Sequence, residues 1–236
     1  MFIVMEGIDG SGKSTVARLV ARDLNEEAAS TQVGGKTEIG VADAETGARA
    51  ARLRDLIWAS PESAGDTFGA SHWILLIASW YAGLARLRPD LAPEHPGVTV
   101  MDGWYYRNIA KTLIREPVDP SWVESLFAPV PEPALTVLLD TAPELAWRRR
   151  EAFKDTELGR WDGFHGPARE SFHAYQSVVR NHLLRMARAR AWLVLSPGPD
   201  ESPQETADAV VSEVRARLAG PALASNHPSS RPATEG

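Results

Sequence analysis

Eight residues near the start of the chain have the types and spacing of a phosphate-binding loop. From Gly7 to Ser14 the sequence reads G-I-D-G-S-G-K-S, which matches G-x-x-x-x-G-K-[ST], the P-loop. Glycines let successive backbone N–H groups converge on one anion, and the positive end of a following helix strengthens that attraction. Lys13 would reach the β- and γ-phosphates of a nucleotide, and the Ser14 hydroxyl would bind Mg²⁺. This chemistry predicts a site for a nucleoside triphosphate.

The residues on either side of the loop supply the context that the motif requires. Phe2–Met5 is a short apolar run typical of a buried strand. Val16, Leu19, Val20 and Leu24 then recur at the spacing of the apolar face of a helix. A strand, a glycine turn and a helix therefore follow one another directly. The residues predicted to bind the nucleotide are Gly7, Asp9, Gly10, Ser11, Gly12, Lys13, Ser14 and Thr15.

A carboxylate at the end of a second strand is the next candidate. The apolar run Val98–Met101 is followed at once by Asp102. An aspartate in this position commonly orients Mg²⁺, directly or through water, so we predict that Asp102 is catalytic and that Asp102 and Ser14 bind the metal. The alternative for Asp102 is a cap at the strand end. Asp140, which follows a later strand, is expected to cap the helix that begins at Pro143.

Arginines flank a polar, glycine-bearing segment at about residues 150–166. Arg148–Arg150 precede this segment and Arg160 lies within it. An arginine on a closing segment can neutralise charge on a phosphoryl group in transfer, as an arginine finger supplied in cis. We therefore predict a mobile lid, with Lys13, Arg149 and Arg160 as catalytic residues. A solvated helix face is the alternative interpretation of these arginines.

The distribution of apolar segments predicts the fold class. Strand-like runs alternate with helical patterns along most of the chain, and a further short strand is expected within Gln32–Ile39. Continuous apolar strands that alternate with helices indicate an α/β fold with a parallel sheet covered on both faces. Ligands bind beyond the carboxyl ends of the strands in such sheets, and Gly7 and Asp102 both lie at such ends.

The composition excludes several classes of protein. A length of 236 residues with ordinary hydrophobic content allows one α/β domain. The net charge of −6 argues against non-specific binding to nucleic acid or to an anionic membrane. The absence of cysteine excludes disulfides, thiolate catalysis and zinc–thiolate sites. No apolar run approaches the roughly 20 residues that span a bilayer and no signal peptide is evident, so we expect a cytoplasmic protein.

Taken together, these motifs resemble the thymidylate kinase family. Phe2–Thr15 is close to the opening of that family, and Leu138–Glu144 is similar to the strand and helix entry before its lid. Gly159–Asp162 resembles the D-R-x-E step of the family, with Asp162 in place of glutamate. Arg149 falls at the arginine of the family on the helix before the lid. The resemblance covers roughly residues 1–218.

The resemblance implies a doubly wound five-stranded parallel sheet of the P-loop kinase type. The kinase domain would span residues 1–219 with the lid at about 150–166, and the Pro- and Ser-rich tail at 220–236 is expected to be disordered. The family uses ATP with Mg²⁺ as phosphoryl donor and a nucleoside monophosphate as acceptor. The family usually forms dimers through its long helices, so the resemblance further implies a possible homodimer, for which the helix from Trp73 to Leu87 could serve as the contact. The net charge predicts no nucleic-acid or membrane partner.

The acceptor side departs from the pattern of the family. The T-R-E-P segment reads Thr37–Gly40, and the D-R-[YFH] motif reads Asp102–Trp104, so the arginine of each is missing. Arg107 and Lys111 could restore positive charge from one helix face. Tryptophans would suit stacking on a planar base, although core packing is an equal alternative for Trp80 and Trp104 and the expected role of Trp73. The predicted acceptor-binding residues are Asp9, Trp80, Trp104 and Arg107.

Three functions remain in competition at this point. The leading hypothesis is phosphoryl transfer from ATP to a pyrimidine nucleoside monophosphate, dTMP or a relative. The second is a P-loop kinase of a different acceptor, a nucleoside or an intermediate of specialised metabolism, which the altered acceptor motifs favour. The third is a nucleotide-dependent switch protein, but the chain lacks the Asn-Lys-x-Asp signature for guanine.

Overall fold

Apolar strands close to the middle of the molecule form one parallel sheet. The structure, a computed structural model, describes residues 1–25, 31–40, 43–58 and 67–219, so the prediction for the tail lies outside the described residues. The strands lie in the order β2-β3-β1-β4-β5. Their bounds are β1 (Phe2–Gly7), β2 (Thr31–Gly35), β3 (Val98–Asp102), β4 (Leu135–Leu139) and β5 (Leu193–Leu195).

Helices cover both faces of this sheet, which confirms the predicted doubly wound α/β architecture. They are α1 (Lys13–Asn25), α2 (Ala44–Trp58), α3 (Gly69–Leu87), α4 (Tyr106–Arg115), α5 (Pro120–Ser125), α6 (Pro143–Arg148), α7 (Ala168–Ala189) and α8 (Pro203–Ala219). Short 3-10 turns lie at Pro89–Leu91 and Arg160–Asp162.

Alternation of side chains along β1 divides the core into two layers. Phe2 and Val4 pack with the helices α3, α4 and α7, whereas Ile3 and Met5 pack with α1 and α8. Because β1 is buried along its whole length and both of its neighbours run parallel to it, the loop that follows Gly7 is held at the centre of the carboxyl edge. Within the described residues, no helix combines the length and the apolar character that crossing a membrane requires.

The short helix α5 was not predicted from the sequence. Prolines dominate its surroundings and indicated only an irregular segment. The helix nevertheless has an ordinary start, because the Asp119 side chain accepts a hydrogen bond from the N–H of Ser121 at 2.9 Å and Pro120 occupies the first turn. The predicted second strand is also displaced, to Thr31–Gly35.

Candidate functional site

The loop between β1 and α1 has a backbone conformation that favours glycine. Gly7 and Gly10 have φ angles of +151° and +79°. A Cβ on Gly10 would lie 2.9 Å from the carbonyl oxygen of Ala146, and one on Gly7 would lie 2.8 Å from that of Leu139. The loop is therefore packed closely against α6 and β4. It leads directly into the first turn of α1, where N–H groups have no partner within the helix.

Lys13 lies beneath this loop and is buried. Its ammonium group donates hydrogen bonds to the carbonyl oxygens of Gly7 at 3.0 Å and Ile8 at 2.6 Å. Burial, together with the nearby guanidinium of Arg107, lowers the pKa of Lys13 to about 8 against the opposing effect of Asp9. A phosphate close to the ammonium group would favour its charged form.

A cavity of about 560 Å³ opens over the loop, and we term it the P-loop cavity. It collects most of the residues that the sequence predicted to bind the nucleotide or the metal, namely Asp9, Gly10, Ser11, Gly12, Lys13, Ser14, Thr15 and Asp102. Arg149, which was predicted to be catalytic, also lines it. Gly7 lies outside this lining and shapes the turn. The far end of the cavity is formed by Pro197, Pro199 and Glu201 in the segment after β5.

A second cavity of about 330 Å³ lies beside the first, and we term it the tryptophan cavity. Trp58, Trp73 and Trp161 contribute to its walls. The helix α4 contributes basic residues spaced four apart, so that they share one face, and these are Arg107, Lys111 and Arg115. The cavity thus combines aromatic surface with positive charge.

Four residues line both cavities and define what we term the junction: Asp9, Lys36, Arg107 and Glu157. The Asp9 carboxylate forms an ion pair with Arg107 at 2.5 Å and lies 3.5 Å from the ammonium group of Lys111. Burial alone would raise the pKa of Asp9, but these two cations outweigh it and hold the pKa well below its usual range. Asp9 is therefore a fixed anion between the two cavities.

Trp80 and Trp104 lie in the hydrophobic core and in neither cavity. Both are 1% exposed and line neither cavity. The Trp80 indole donates to the carbonyl oxygen of Lys36 at 2.8 Å, and Trp104 packs edge-on against Phe2. This placement corrects the prediction that these two rings stack on a base. Trp73, for which core packing was expected, lines the tryptophan cavity instead.

The two arginines predicted to be catalytic have different surroundings. Arg149 follows α6 and donates from Nη1 to the carbonyl oxygen of Ser11 at 3.1 Å, so it lies directly beside the P-loop. Arg160 lines neither cavity, because it donates to Ser171 Oγ at 2.9 Å and to the carbonyl oxygen of Gly166 at 2.8 Å. The prediction of a catalytic Arg160 is therefore corrected: this side chain holds the 160–166 segment onto α7.

Asp140 also differs from its prediction. The residue before α6 makes no side-chain cap, and the Asp140 carboxylate instead accepts two hydrogen bonds from Arg180 of α7 at 2.5 and 2.9 Å. A capping role at Pro143 is thus wrong. The ion pair ties the end of β4 to α7, next to the P-loop cavity.

Sequence reasoning missed three residues of the junction region. Gln176 donates from its amide to Asp9 at 3.2 Å and to the carbonyl oxygen of Glu157 at 2.8 Å. Its signal was a polar residue on the otherwise apolar face of a long helix. Lys36 had a weaker signal, as the first charged residue after a strand end. Glu157 lies in an irregular segment, where no periodic pattern indicates direction.

The chain is similar to several proteins named as thymidylate kinases. It is 34% identical over 189 residues to the thymidylate kinase of Jannaschia sp., and the aligned region covers 77% of this chain and 84% of that protein. It is 30% identical over 151 residues to a probable thymidylate kinase of Sulfolobus acidocaldarius (63% and 69%), and 31% identical over 150 residues to that of Archaeoglobus fulgidus (63% and 68%). No protein family model matches the chain.

Proposed function

Because the chain belongs to the thymidylate kinase family and is a nucleotide kinase, we propose that it transfers the γ-phosphoryl group of ATP to a pyrimidine nucleoside monophosphate, dTMP or a relative. The observation that carries the proposal is the junction. Because Asp9, Lys36, Arg107 and Glu157 line both cavities, a polyphosphate in one and an acceptor in the other would meet there. Catalysis of phosphoryl transfer depends mainly on such positioning and on charge neutralisation.

The P-loop cavity has the residues to hold the donor. The N–H groups at the start of α1 and the ammonium of Lys13 suit the β- and γ-phosphates, and Pro197 and Pro199 offer apolar surface to the base. Ser14 and Asp102 would hold Mg²⁺, which neutralises phosphate charge when bound. Mg²⁺ commonly takes one or two protein oxygens together with phosphate oxygens and water. Ser14 and Asp102 both line the P-loop cavity, so two side-chain oxygens are available there for such coordination.

The tryptophan cavity has the residues to hold the acceptor. Asp9 and Arg107 lie at its inner end, and Trp73 and Trp161 supply rings for contact with a planar base. Arg149, beside the P-loop on the opposite side, would stabilise charge on the group in transfer. The 150–166 segment would act as the lid, since its Glu157 already lines both cavities.

A second acceptor class is favoured by one observation. The family motifs T-R-E-P and D-R-[YFH] each carry an arginine, but the corresponding segments here, Thr37–Gly40 and Asp102–Trp104, contain none. Because arginines commonly bind phosphate, their loss favours a kinase of a free nucleoside or of another small hydroxyl compound as the alternative. In that case the acceptor would need no phosphate-binding cation.

A coupled assay of ADP release separates the two. The enzyme, ATP and Mg²⁺ are combined with dTMP, dUMP, CMP and the corresponding free nucleosides. We expect turnover with a pyrimidine monophosphate and none with the nucleosides. Turnover with nucleosides alone would replace the proposal by its alternative, and ADP release that no acceptor stimulates would contradict both.

A further inference from the structure

The cations around the junction differ in how they are paired. Arg107 pairs with Asp9 at 2.5 Å, and Arg150 pairs with Glu157 at 2.7 Å. Among the described residues, the Lys36 ammonium makes no hydrogen bond and no ion pair, although it lines both cavities. The junction therefore holds a lysine whose donors are all available to a ligand.

The fold fixes the position of Lys36 through its backbone. Lys36 directly follows β2, and its carbonyl oxygen accepts the hydrogen bond from the buried indole of Trp80 at 2.8 Å. The Trp80 ring is in turn held edge-on by Trp58, with centroids 5.1 Å apart. Trp80, which lines neither cavity, thus holds the backbone of Lys36, which lines both.

We propose that Lys36 binds the phosphate of the acceptor, which makes a phosphomonoester dianion, and not a neutral hydroxyl compound, the ligand that this site takes. The proposal rests on the proposed kinase function and specifies its acceptor side. Two charges on one phosphate would match Lys36 together with Arg107, which has donors beyond those used by Asp9. A neutral acceptor would offer the partly buried Lys36 no anion with which to pair, whereas a phosphate dianion would favour its charged form.

The charge state of Lys36 in the empty protein follows from its neighbours. Burial first, and then the cations Arg107 and Lys111 of α4, lower the pKa of Lys36 to about 7, while Asp9 of the P-loop and Glu6 of β1 raise it. At mildly alkaline pH the empty site therefore holds a largely neutral amine. A phosphate dianion favours the ammonium form, so binding of the acceptor should take up a proton through Lys36.

The test compares the wild type and three variants by titration calorimetry with dTMP, dUMP and CMP, in two buffers of different ionisation enthalpy at about pH 8. Lys36→Met removes the charge at similar volume, Lys36→Arg keeps a cation that stays protonated, and Arg52→Met is the control. Arg52 is exposed on α2 and lines neither cavity, so its replacement removes one positive charge from elsewhere. The affinity for ATP, measured separately, reports on whether the P-loop cavity is intact.

We expect Lys36→Met to weaken binding of the monophosphate by about 10- to 100-fold and to lower proton uptake, with ATP affinity changed less than about threefold. Lys36→Arg should retain most of the affinity but lose the same part of the proton uptake, which a purely structural role would not produce. Arg52→Met should match the wild type in both readouts.

The outcomes separate the two proposals. If the wild type binds and phosphorylates a monophosphate but both Lys36 variants keep its affinity and proton uptake, the role of Lys36 is wrong and the kinase function stands. If Lys36→Met does not fold, the proton uptake of Lys36→Arg decides the matter. If the wild type binds no monophosphate, the proposed acceptor is wrong as well.

Discussion

Arg149 and Lys13 both donate hydrogen bonds to the P-loop but differ in how far they are exposed. Lys13 is buried and donates to the loop from within, whereas Arg149 is exposed and donates to Ser11 from outside. A buried lysine beneath the loop suits permanent contact with bound phosphate. An exposed arginine at its rim is free to follow charge that develops during transfer.

The first prediction concerns Arg149. Replacement by alanine should lower kcat by about 10³-fold with little change in nucleotide affinity, because the guanidinium would act on charge that appears only in transfer. Steady-state kinetics and ATP titration measure the two quantities. Arg148→Ala is the matched control, since Arg148 is an exposed neighbour that lines neither cavity, and it should retain activity. Equal kcat values in wild type and Arg149→Ala would exclude this role.

At the scale of elements, the contact between the P-loop and α6 sets the shape of the nucleotide site. Gly10 makes that contact at a positive φ, and the Ala146 carbonyl occupies the space where a Cβ would lie. Because backbone atoms of Ala146 enclose this space, rotation of a neighbouring side chain could not make room for a side chain at Gly10. The turn would have to move away from α6.

The second prediction follows from this contact. Gly10→Ala should lower the free energy of unfolding by about 1–3 kcal/mol and weaken ATP binding by at least about tenfold, because the loop N–H groups are displaced. Gly83→Ala is the contrast, since Gly83 lies in α3 with nothing within 4 Å of its added Cβ. It should stabilise the protein slightly. Urea unfolding measures both, and a neutral Gly10→Ala would contradict the argument.

At the scale of the whole molecule, Lys13 and Lys36, whose pKa values are both lowered in the folded protein, link stability to pH. Lysine in an unfolded chain has a pKa near 10.4, whereas in the folded protein burial lowers the pKa of Lys36 to about 7 and that of Lys13 to about 8. Between these values and about pH 10 the unfolded chain binds more protons than the folded one. The free energy of unfolding of the ligand-free protein should therefore rise as the pH increases through this window.

The third prediction is that rise, on the order of 1–3 kcal/mol between about pH 7 and pH 9. Urea midpoints across this range measure it. In Lys36→Met the rise should be smaller, because only Lys13 then contributes, and the variant should be more stable than wild type near pH 7. Above about pH 10 the raised pKa values of the buried tyrosines act in the opposite direction. An identical slope in wild type and Lys36→Met would contradict the prediction.

The fourth prediction concerns assembly. We propose a homodimer through the α2–α3 side, supported by the exposed apolar side chains Leu56, Phe68 and Leu75 in this region. Light scattering should give about twice the chain mass of 25.7 kDa. Leu75→Glu should shift the protein to monomer, whereas Leu218→Glu should not, since Leu218 is similarly exposed but lies on α8. A monomeric wild type would exclude the dimer.

Local pattern explains most of the fold and the donor side of the site. The P-loop residues could be assigned from sequence because one short segment contains the strand, the turn and the helix start. α5 was missed because prolines that begin a helix and prolines that interrupt one look alike without their hydrogen bonds. The start of α8 is a capping box whose S-x-x-E pattern is local in the sequence, with the Glu205 carboxylate accepting from the Ser202 N–H at 2.7 Å.

The acceptor side could not be assigned in the same way. Periodicity places Trp73 and Trp80 on one long helix, but Trp80 faces the core and Trp73 faces a cavity, and only the packing of α3 against the sheet decides between them. Arg149 precedes the predicted lid and Arg160 lies within it, yet only Arg149 reaches the P-loop. The two arginines carry the same charge and lie close together in the sequence, so only the path of the backbone decides which of them contacts the P-loop.

By itself the sequence determined the alternation of most strands and helices, the phosphate-binding turn and the kind of ligand that this turn suits, because each depends on residues adjacent in the chain. The tertiary structure alone decided which side chains meet at the junction. Asp9, Lys36, Arg107 and Glu157 come from four separate segments, and Gln176 joins them from a fifth. Residues so distant in sequence leave no local signal of their proximity, which arises only when β1, β2, α4 and α7 pack together.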